Sequence, residues 1–440
     1  MTQNPTAPAP SESFAAEDRA AVMRAAKSSF IGTTIEWYDY FLYGTASALI
    51  FPRVFFSNLT PGVATFASLA SFSVSWLLRP IGGLIFGHFG DRVSRKKMLV
   101  ITLLMMGATT FLIGCLPGYP QVGLLAPVLL IILRMVQGLA LGGEWGGAAL
   151  IVIEHAPPGR RGRYGSAVQM GVPAGLLLST AAVTAVSALP DRDFFGWGWR
   201  LPFLASVVLL ALGYWLRSAL EDPKAFAQLR DRAAQVQLPI KEVLAVAKRR
   251  TVLLALVQFA CNAGYYVFTV YSGTYATKQL GLPRTWVLTA LMVAAAVDLV
   301  MQPVFGALSD RFGRRPVYIF GSVFIGVWAF PFFALFNSQS QPLIVVAMIG
   351  ALGIGHAATG SVNGPLYTEQ FPTRMRYTGA SLAYQLSGIV TSTPAPLVAA
   401  WIVAATGSST FVSVYVIAAA VISVGCALAL RETHKIDIDY

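Results

Sequence analysis

GHFGDRVSRKK at residues 87–97 and GALSDRFGRR at residues 306–315 are two copies of one short basic loop. Each copy lies between two long apolar stretches, and the copies are half the chain length apart. A second pair of short sequences, EHAP at 154–157 and EQFP at 369–372, repeats at nearly the same interval. Repetition at this interval indicates an internally duplicated chain.

The composition is that of an integral membrane protein. Of the 440 residues, 55% are apolar and only 12% are charged, and the mean hydropathy is +0.63. A soluble domain carries about 25% charged residues. The 32 Lys and Arg against 20 Asp and Glu are spread among loops and form no separate basic domain, so no nucleic-acid partner is expected. A duplicated apolar bundle with basic connecting loops is typical of secondary transporters.

Apolar stretches of the roughly 20 residues that cross a bilayer can be placed twelve times. They lie near 29–51, 62–86, 98–116, 123–153, 164–188, 199–216, 251–276, 285–307, 317–336, 342–368, 378–404 and 408–430. The sequence therefore predicts an all-α membrane protein of twelve helices in two pseudo-symmetric six-helix halves. The predicted parts are a flexible tail at 1–28, halves at 29–216 and 251–430, a connector at 217–250 and a second tail at 431–440.

Lysine and arginine are distributed unevenly between the two sides of the predicted bundle. The terminal segments and the loops after even-numbered spans hold most of them. The opposite loops hold only Arg53, Arg192, Arg200, Lys278 and Arg284. Because cytoplasmic loops retain positive charge, both termini are predicted to lie in the cytoplasm, with the chain in the cytoplasmic (inner) membrane.

The repeated loop resembles the G-x-x-x-D-R-x-G-R-R/K loop of the major facilitator superfamily, with Ser94 where that pattern has Gly. Further stretches resemble its metabolite:proton symporter family, at residues 32–44, 79–83, 137–138, 142–147 and 196–203. The resemblance covers the whole membrane region. It implies the major facilitator fold and proton-coupled transport of a metabolite such as shikimate, 2-oxoglutarate, citrate, proline or a betaine.

Six ionisable residues lie inside predicted spans, where a charge costs about 2.5 to 3.5 kcal/mol on insertion scales. They are Glu36, Asp39, Arg79, Arg134, Glu144 and Asp298. Asp39 and Arg134 are both about 15 Å deep in their spans, at 1.5 Å per residue, and similar symporters carry an Asp and an Arg at matching positions. We predict that Asp39 and Arg134 form the proton-coupling pair. The alternative is a static ion pair that only sets helix register.

The remaining intramembrane charges are Arg79, Glu144, Asp298 and Glu36. Arg79 and Glu144 lie at similar depths and are predicted to pair, either as a gate or packing bridge without substrate contact or with a role in transport. Asp298 occupies the position of the second half that corresponds to Arg79, and it is also predicted to act in gating. Glu36 is a candidate for a second proton site. No partner is assigned to Glu36 or Asp298.

Polar and aromatic side chains on spans that face a central cavity are the candidates for substrate binding, because Asn and Gln are costly in lipid unless they pair or face water. The candidates are Arg134, Tyr40, Tyr43, Gln137, Gln169, Asn262, Tyr265, Tyr266, His356, Asn363, Tyr384 and Gln385. The two repeated loops are assigned to gating, since their Asp residues can cap helix termini and pair with basic groups. The gating residues are Gly87, Asp91, Arg92, Arg95, Gly306, Asp310, Arg311 and Arg314.

These patterns predict a proton-coupled symporter that imports a small organic acid by alternating access, acts as a monomer and is not an enzyme. No metal site or cofactor is expected, and the proton gradient is the expected energy source. A zwitterion symporter for a betaine or proline, and an exporter or exchanger, remain alternatives. A membrane-embedded metabolite sensor is the alternative from a different class.

Overall fold

The computed structural model describes residues 12–92, 95–142, 152–153, 156–157, 159–218, 247–372 and 375–435. All regular structure in these residues is helical. The side chains of residues 87–97 lie outside the description, and so does Glu144. The roles predicted for Gly87, Asp91, Arg92, Arg95 and Glu144 therefore rest on side chains that lie outside the description.

The long helices are numbered α1 to α12 in chain order. In the first half they are α1 Glu12–Leu49, α2 Pro61–Arg92, α3 Arg95–Cys115, α4 Leu125–Leu141, α5 Arg161–Ser187 and α6 Arg200–Ser218. In the second half they are α7 Lys248–Gln279, α8 Arg284–Phe312, α9 Arg314–Asn337, α10 Gln341–Thr368, α11 Thr378–Thr406 and α12 Thr410–Ala429.

Most of these helices are long enough to cross a membrane. Among the described residues, nine helices are long and apolar enough to cross a bilayer, and 100–115 and 125–141 are shorter apolar helices. The fourth predicted span, 123–153, is helical from Leu125 to Leu141, and residues 143–151 are outside the description. The loop between α8 and α9 is short, as the repeated pattern predicts, with Gly313 alone between the two helices.

The first helix is longer than the sequence analysis predicted. Residues 12–28, expected to be a flexible tail, are helical because α1 begins at Glu12. This segment is rich in Ala, Glu, Arg and Lys, which have high helix propensity. Composition alone suggested a tail, whereas propensity favours a helical extension of the first span.

Several helices of each predicted half pack on one another, forming a first and a second group. In the first group α1 packs on α5, α2 on α4, and α3 on both α4 and α6. In the second group α9 packs on α12, and α8 on both α9 and α10. Small residues allow α2 and α4 to approach closely: a Cβ at Gly142 would overlap the Arg79 carbonyl oxygen, and one at Gly138 would overlap that of Ser75.

The halves meet along α1, α2 and α5 of the first group and α7, α8, α10 and α11 of the second. Three of the second-half helices contain π-helical turns, at Val267–Tyr271, Gly350–His356 and Gly388–Ser392. The first and third of these turns contact helices of the first half. Turns of this kind are frequent at functional sites because they redirect side chains within a helix. The interface is therefore the expected place for the functional side chains.

Candidate functional site

Arg134 of α4 is fully buried in the centre of the first half. Its Nε and Nη2 both donate to the Phe72 carbonyl oxygen at 3.3 Å, and Nη1 donates to Gln137 Oε1 at 3.0 Å. Its guanidinium also lies over the rings of Tyr43 and Tyr40, 4.2 and 4.8 Å from their centroids. The protein itself therefore satisfies the donors of this side chain.

Asp39 of α1 is buried beside Arg134 but does not form an ion pair with it. The carboxylate lies next to Thr110 and senses the charge of Arg134, yet no described cation lies within ion-pair distance, and Oδ1 accepts no hydrogen bond. The direct Asp39–Arg134 pair predicted from depth is thus absent in this conformation. The two side chains are close enough to interact electrostatically, but the Phe72 carbonyl and Gln137 hold the guanidinium elsewhere.

Arg79 of α2 is buried to the same degree as Asp39, with 2% exposure, yet two of its nitrogens lack partners. Its guanidinium lies 3.6 Å from the centroid of Trp76 and 5.1 Å from that of Tyr40. Nε and Nη2 make no hydrogen bond. Buried guanidinium nitrogens without hydrogen bonds are unfavourable, so this side chain requires an explanation.

An aromatic group surrounds the Arg79 guanidinium and joins the halves. Trp76 Nε1 donates to the Tyr40 hydroxyl at 2.6 Å, and the Tyr266 ring of α7 lies 6.1 Å from Tyr40 and 6.5 Å from Trp76. The Trp76 indole also packs on Gly388 of α11, where a Cβ would overlap the ring. Sequence analysis missed Trp76, although its spacing of three residues from Arg79 places both on one helix face.

Asp298 of α8, left without a partner by the sequence analysis, is paired with His356 of α10. The His356 Nδ1 lies 2.7 Å from Asp298 Oδ2, and Gln302 Nε2 donates to Asp298 Oδ1 at 3.1 Å. His356 is the last residue of the π-helical turn in α10. Both were predicted as site residues, but as a gating charge and a substrate ligand that were not connected.

The other candidates are distributed along the interface. Gln385 donates to the Gly142 carbonyl at 2.9 Å and Gln169 to the Gly360 carbonyl at 3.2 Å, so both connect the halves. Within single halves, Asn262 donates to Thr391 and Tyr43 to Ser71, each at 2.8 Å. Asn363 Oδ1 is buried without a partner. The Tyr384 ring packs 6.0 Å from that of Tyr367, and Glu36 interacts electrostatically with Tyr384.

One end of the interface is closed by Asp310, in the loop region predicted to act in gating. Its carboxylate accepts hydrogen bonds from the backbone N–H groups of Gly162 and Arg163 at 2.7 and 2.9 Å, and so caps α5 of the opposite half. Arg314 also pairs with Asp310 at 2.7 Å and with Glu369 at 3.2 Å. The helix-capping contact predicted for Asp310 is therefore present, and it joins the halves.

The opposite end is closed by Asp191, between α5 and α6. Arg284, the first residue of α8, donates to Asp191 at 2.7 Å and to the Ser187 carbonyl at 3.1 Å. Arg53 lies 3.6 Å from the same carboxylate. The halves therefore touch at both ends, and the central side chains between the ends are buried.

Comparison with known proteins identifies the family. The model of the Major Facilitator Superfamily matches residues 30–393 and 285–437. The chain belongs to this superfamily. It is 40% identical to the shikimate transporter of Escherichia coli over 94% of this chain and 95% of the relative. It is 34% identical to the proline/betaine transporter of the same organism, over 94% of this chain and 85% of that protein.

A third relative is the inner membrane metabolite transport protein YhjE of Escherichia coli, 41% identical over 92% of this chain and 93% of that protein. Among solved structures, the D-xylose-proton symporter aligns over 93% of this chain and 97% of its own, with a TM-score of 0.72 and 19% identity. At that identity the likeness concerns the fold. The protein is thus a multi-pass membrane transporter of the superfamily.

Proposed function

We propose that this transporter is a proton-coupled symporter that imports a small carboxylate-bearing metabolite by alternating access. The observation that carries the proposal is the Arg79 guanidinium, which is buried between the halves with two free donors. Shikimate, proline and betaine, which the relatives are named for, all carry a carboxylate. A substrate site for compounds of this kind has to bind that carboxylate.

Arg79 is better suited than Arg134 to receive that carboxylate. The donors of Arg134 are used by Phe72 and Gln137, whereas Nε and Nη2 of Arg79 are unused and adjacent on the planar fork that binds carboxylates in a bidentate manner. Stacking on Trp76 fixes the plane of that fork. In this proposal Arg79 binds the substrate, and Arg134 sets the electrostatic environment of Asp39.

Asp39 is proposed as the proton site. It is buried, its Oδ1 has no hydrogen-bond donor, and Arg134 is near without contacting it. Such a carboxylate holds a proton readily when the centre is closed and releases it when water enters. Proton and substrate occupy neighbouring places at the interface of the halves, so one closure can enclose both.

We further propose that all twelve helices cross the membrane, with both termini in the cytoplasm and the Asp310 end on the cytoplasmic side. The distribution of Lys and Arg supports this orientation, and the inner-membrane relative supports the location. Two further points remain predictions: the transporter acts as a monomer, and it needs no cofactor because the proton gradient supplies the energy.

A zwitterion such as glycine betaine is the second candidate substrate, because the site is rich in aromatic rings. Tyr40, Trp76 and Tyr266 lie around one point at the interface. Such a group of rings binds quaternary ammonium ions through cation–π attraction. In this case Arg79 takes the carboxylate and the rings take the ammonium group.

The test is uptake of labelled compounds into proteoliposomes under an imposed pH gradient. The panel contains shikimate, 2-oxoglutarate, citrate, proline and glycine betaine, with neutral xylose as the control. Accumulation of one carboxylate above its equilibrium level, abolished by a protonophore, is expected. Accumulation of xylose alone would contradict the carboxylate proposal. Equilibration that ignores the pH gradient would contradict proton coupling.

A further inference from the structure

The Asp298–His356 pair is a buried ionisable group that the mechanism above does not use. The Asp298 side chain is completely buried, while that of His356 keeps 8% of its surface accessible. Both Asp298 oxygens are bonded, one to His356 and one to Gln302. Its helix and that of His356 pack directly against each other at the π-helical turn that ends at His356.

The ionisable groups around the pair are few among the described residues. The Tyr265 ring lies 4.1 Å from the His356 ring, and its hydroxyl is buried without a hydrogen bond. The Cys261 thiol is close enough to interact with both Asp298 and Tyr265. No described Lys or Arg makes an ion pair with Asp298. The carboxylate therefore depends on His356 for a compensating charge.

This arrangement makes one proton decisive for the stability of the buried pair. With that proton present, the two groups share it as an ion pair or as two neutral groups, and the net charge is zero. Without it, an ionised Asp298 remains buried beside a neutral imidazole, which is a strongly unfavourable state.

We propose that Asp298 and His356 form a second proton-binding site, separate from Asp39 and located in the second half of the transporter. Since His356 Nδ1 is held by Asp298, its Nε2 is the nitrogen left to exchange a proton with water. A proton enters at His356 when one end is open and leaves from it when the other end is open. The inference rests on the proposed proton coupling.

A chain of aromatic rings connects this pair with the substrate site. From His356 the rings of Tyr265, Tyr266 and Tyr40 follow with centroid separations of 4.1, 5.8 and 6.1 Å. Tyr40 contacts both Arg79 and Arg134. A substrate that displaces Tyr40 or Tyr266 therefore also changes the packing against His356, which gives the second site a physical connection to binding.

The experiment measures how many protons accompany each labelled shikimate molecule, or glycine betaine if the panel identifies that compound. The ratio is obtained from the membrane potential at which net flux reverses, for the parent, His356→Gln and Asp298→Asn. We expect each variant to keep counterflow and to move one proton fewer per substrate. His434→Gln, a matched change outside the membrane helices, should leave the ratio unchanged.

The outcomes separate this inference from the proposed function. A parent that moves no protons overturns both. A parent that moves protons, with the same ratio in both variants, overturns the second site and leaves the proposed function intact. Where a single variant does not fold, the double variant Asp298→Asn, His356→Gln keeps a neutral hydrogen-bonding pair. An unchanged ratio in the double variant also overturns the second site.

Discussion

Two buried arginines of similar environment differ in what their nitrogens bind. Arg134 is saturated by the protein, whereas Arg79 has two free donors and is stacked on Trp76. Sequence could identify both as costly intramembrane charges, but not which one was free. Depth and residue type are the same for a satisfied and an unsatisfied guanidinium, and the backbone carbonyl of Phe72 that distinguishes them carries no sequence signal.

Substitution of the two arginines should separate their roles. One charge-assisted hydrogen bond contributes about 1.5 to 3 kcal/mol, which is about tenfold or more in affinity. Arg79→Gln should therefore weaken binding of labelled shikimate, or of glycine betaine if that is transported, at least about tenfold. Arg79→Lys keeps the charge but loses the planar fork and should recover only part of it. A larger affinity loss for Arg134→Gln than for Arg79→Gln would return the carboxylate site to Arg134.

Asp39→Asn should separate transport from coupling. An amide has the shape of the protonated acid but neither releases nor reloads a proton. Because Asp39 Oδ1 accepts no hydrogen bond, the change removes no described contact at that atom. Counterflow should persist, while accumulation driven by a pH gradient should be lost. Glu36→Gln is the matched variant. If it abolishes accumulation while Asp39→Asn still concentrates substrate, the proton site is Glu36.

At the level of helices, the close approach of α2 and α4 fixes Arg79 and Trp76 in place. Gly142→Ala puts a methyl group into the Arg79 carbonyl oxygen, and overpacking of this kind typically costs about 1 to 3 kcal/mol. A lower melting temperature in detergent and weaker substrate binding are expected. Gly425→Ala of α12 is the control, since nothing lies within 4 Å of its added Cβ. Equal melting temperatures for the two variants would contradict the close contact between α2 and α4 at Gly142.

The start of α9 depends on a carboxylate beyond the last helix. Glu432 accepts hydrogen bonds from the backbone N–H groups of Arg314 and Arg315 at 2.8 and 2.9 Å. Partial burial raises the pKa of Glu432, but these and further backbone donors outweigh burial, so its pKa lies below the usual range. A depressed pKa stabilises the fold above the unfolded-state pKa. This contribution is lost as pH falls through the folded-state value.

Glu432→Gln should consequently destabilise the fold at neutral pH by the free energy typical of a helix cap, about 1 kcal/mol, and so lower the melting temperature. The difference between parent and variant should shrink as the pH is lowered below about 4, the ordinary range for a carboxyl group. The measurement is thermal unfolding in detergent across that pH series. A difference that grows on acidification would mean that Glu432 does not act as an ionised cap.

Sequence predicted the helices better than it predicted their contacts. The length of the apolar stretches and the repeated basic loop were sufficient for the helical, duplicated fold. The helical extension at residues 12–28 was missed because composition was weighed above propensity. The Asp298–His356 contact joins residues on two different helices, and helical periodicity gives no information on which faces of separate helices meet.

For the molecule as a whole, the transport cycle requires the two closed ends to open in turn. The Asp310 end is closed by a buried, multiply bonded group, in which Arg314 is 1% exposed and Asp310 10% exposed. The Asp191 end is closed by a carboxylate that is 66% exposed, and exposed ion pairs contribute only about 0 to 1 kcal/mol. The Asp191 end is therefore the weaker closure, and the conformation that opens there should be reached more easily.

Neutralising each carboxylate should shift the conformational equilibrium in opposite directions. Asp310→Asn weakens the acceptor of the Gly162 and Arg163 N–H groups and should open that end. Asp191→Asn should open the other end, with a smaller shift because the pair is exposed. Both changes can be measured as distances between spin labels placed across each end, by electron paramagnetic resonance. Substrate dissociation constants should change little, since neither residue lies near Arg79. If Asp310→Asn leaves both distance distributions as in the parent while weakening substrate binding, Asp310 is part of the binding site and the assignment to gating fails.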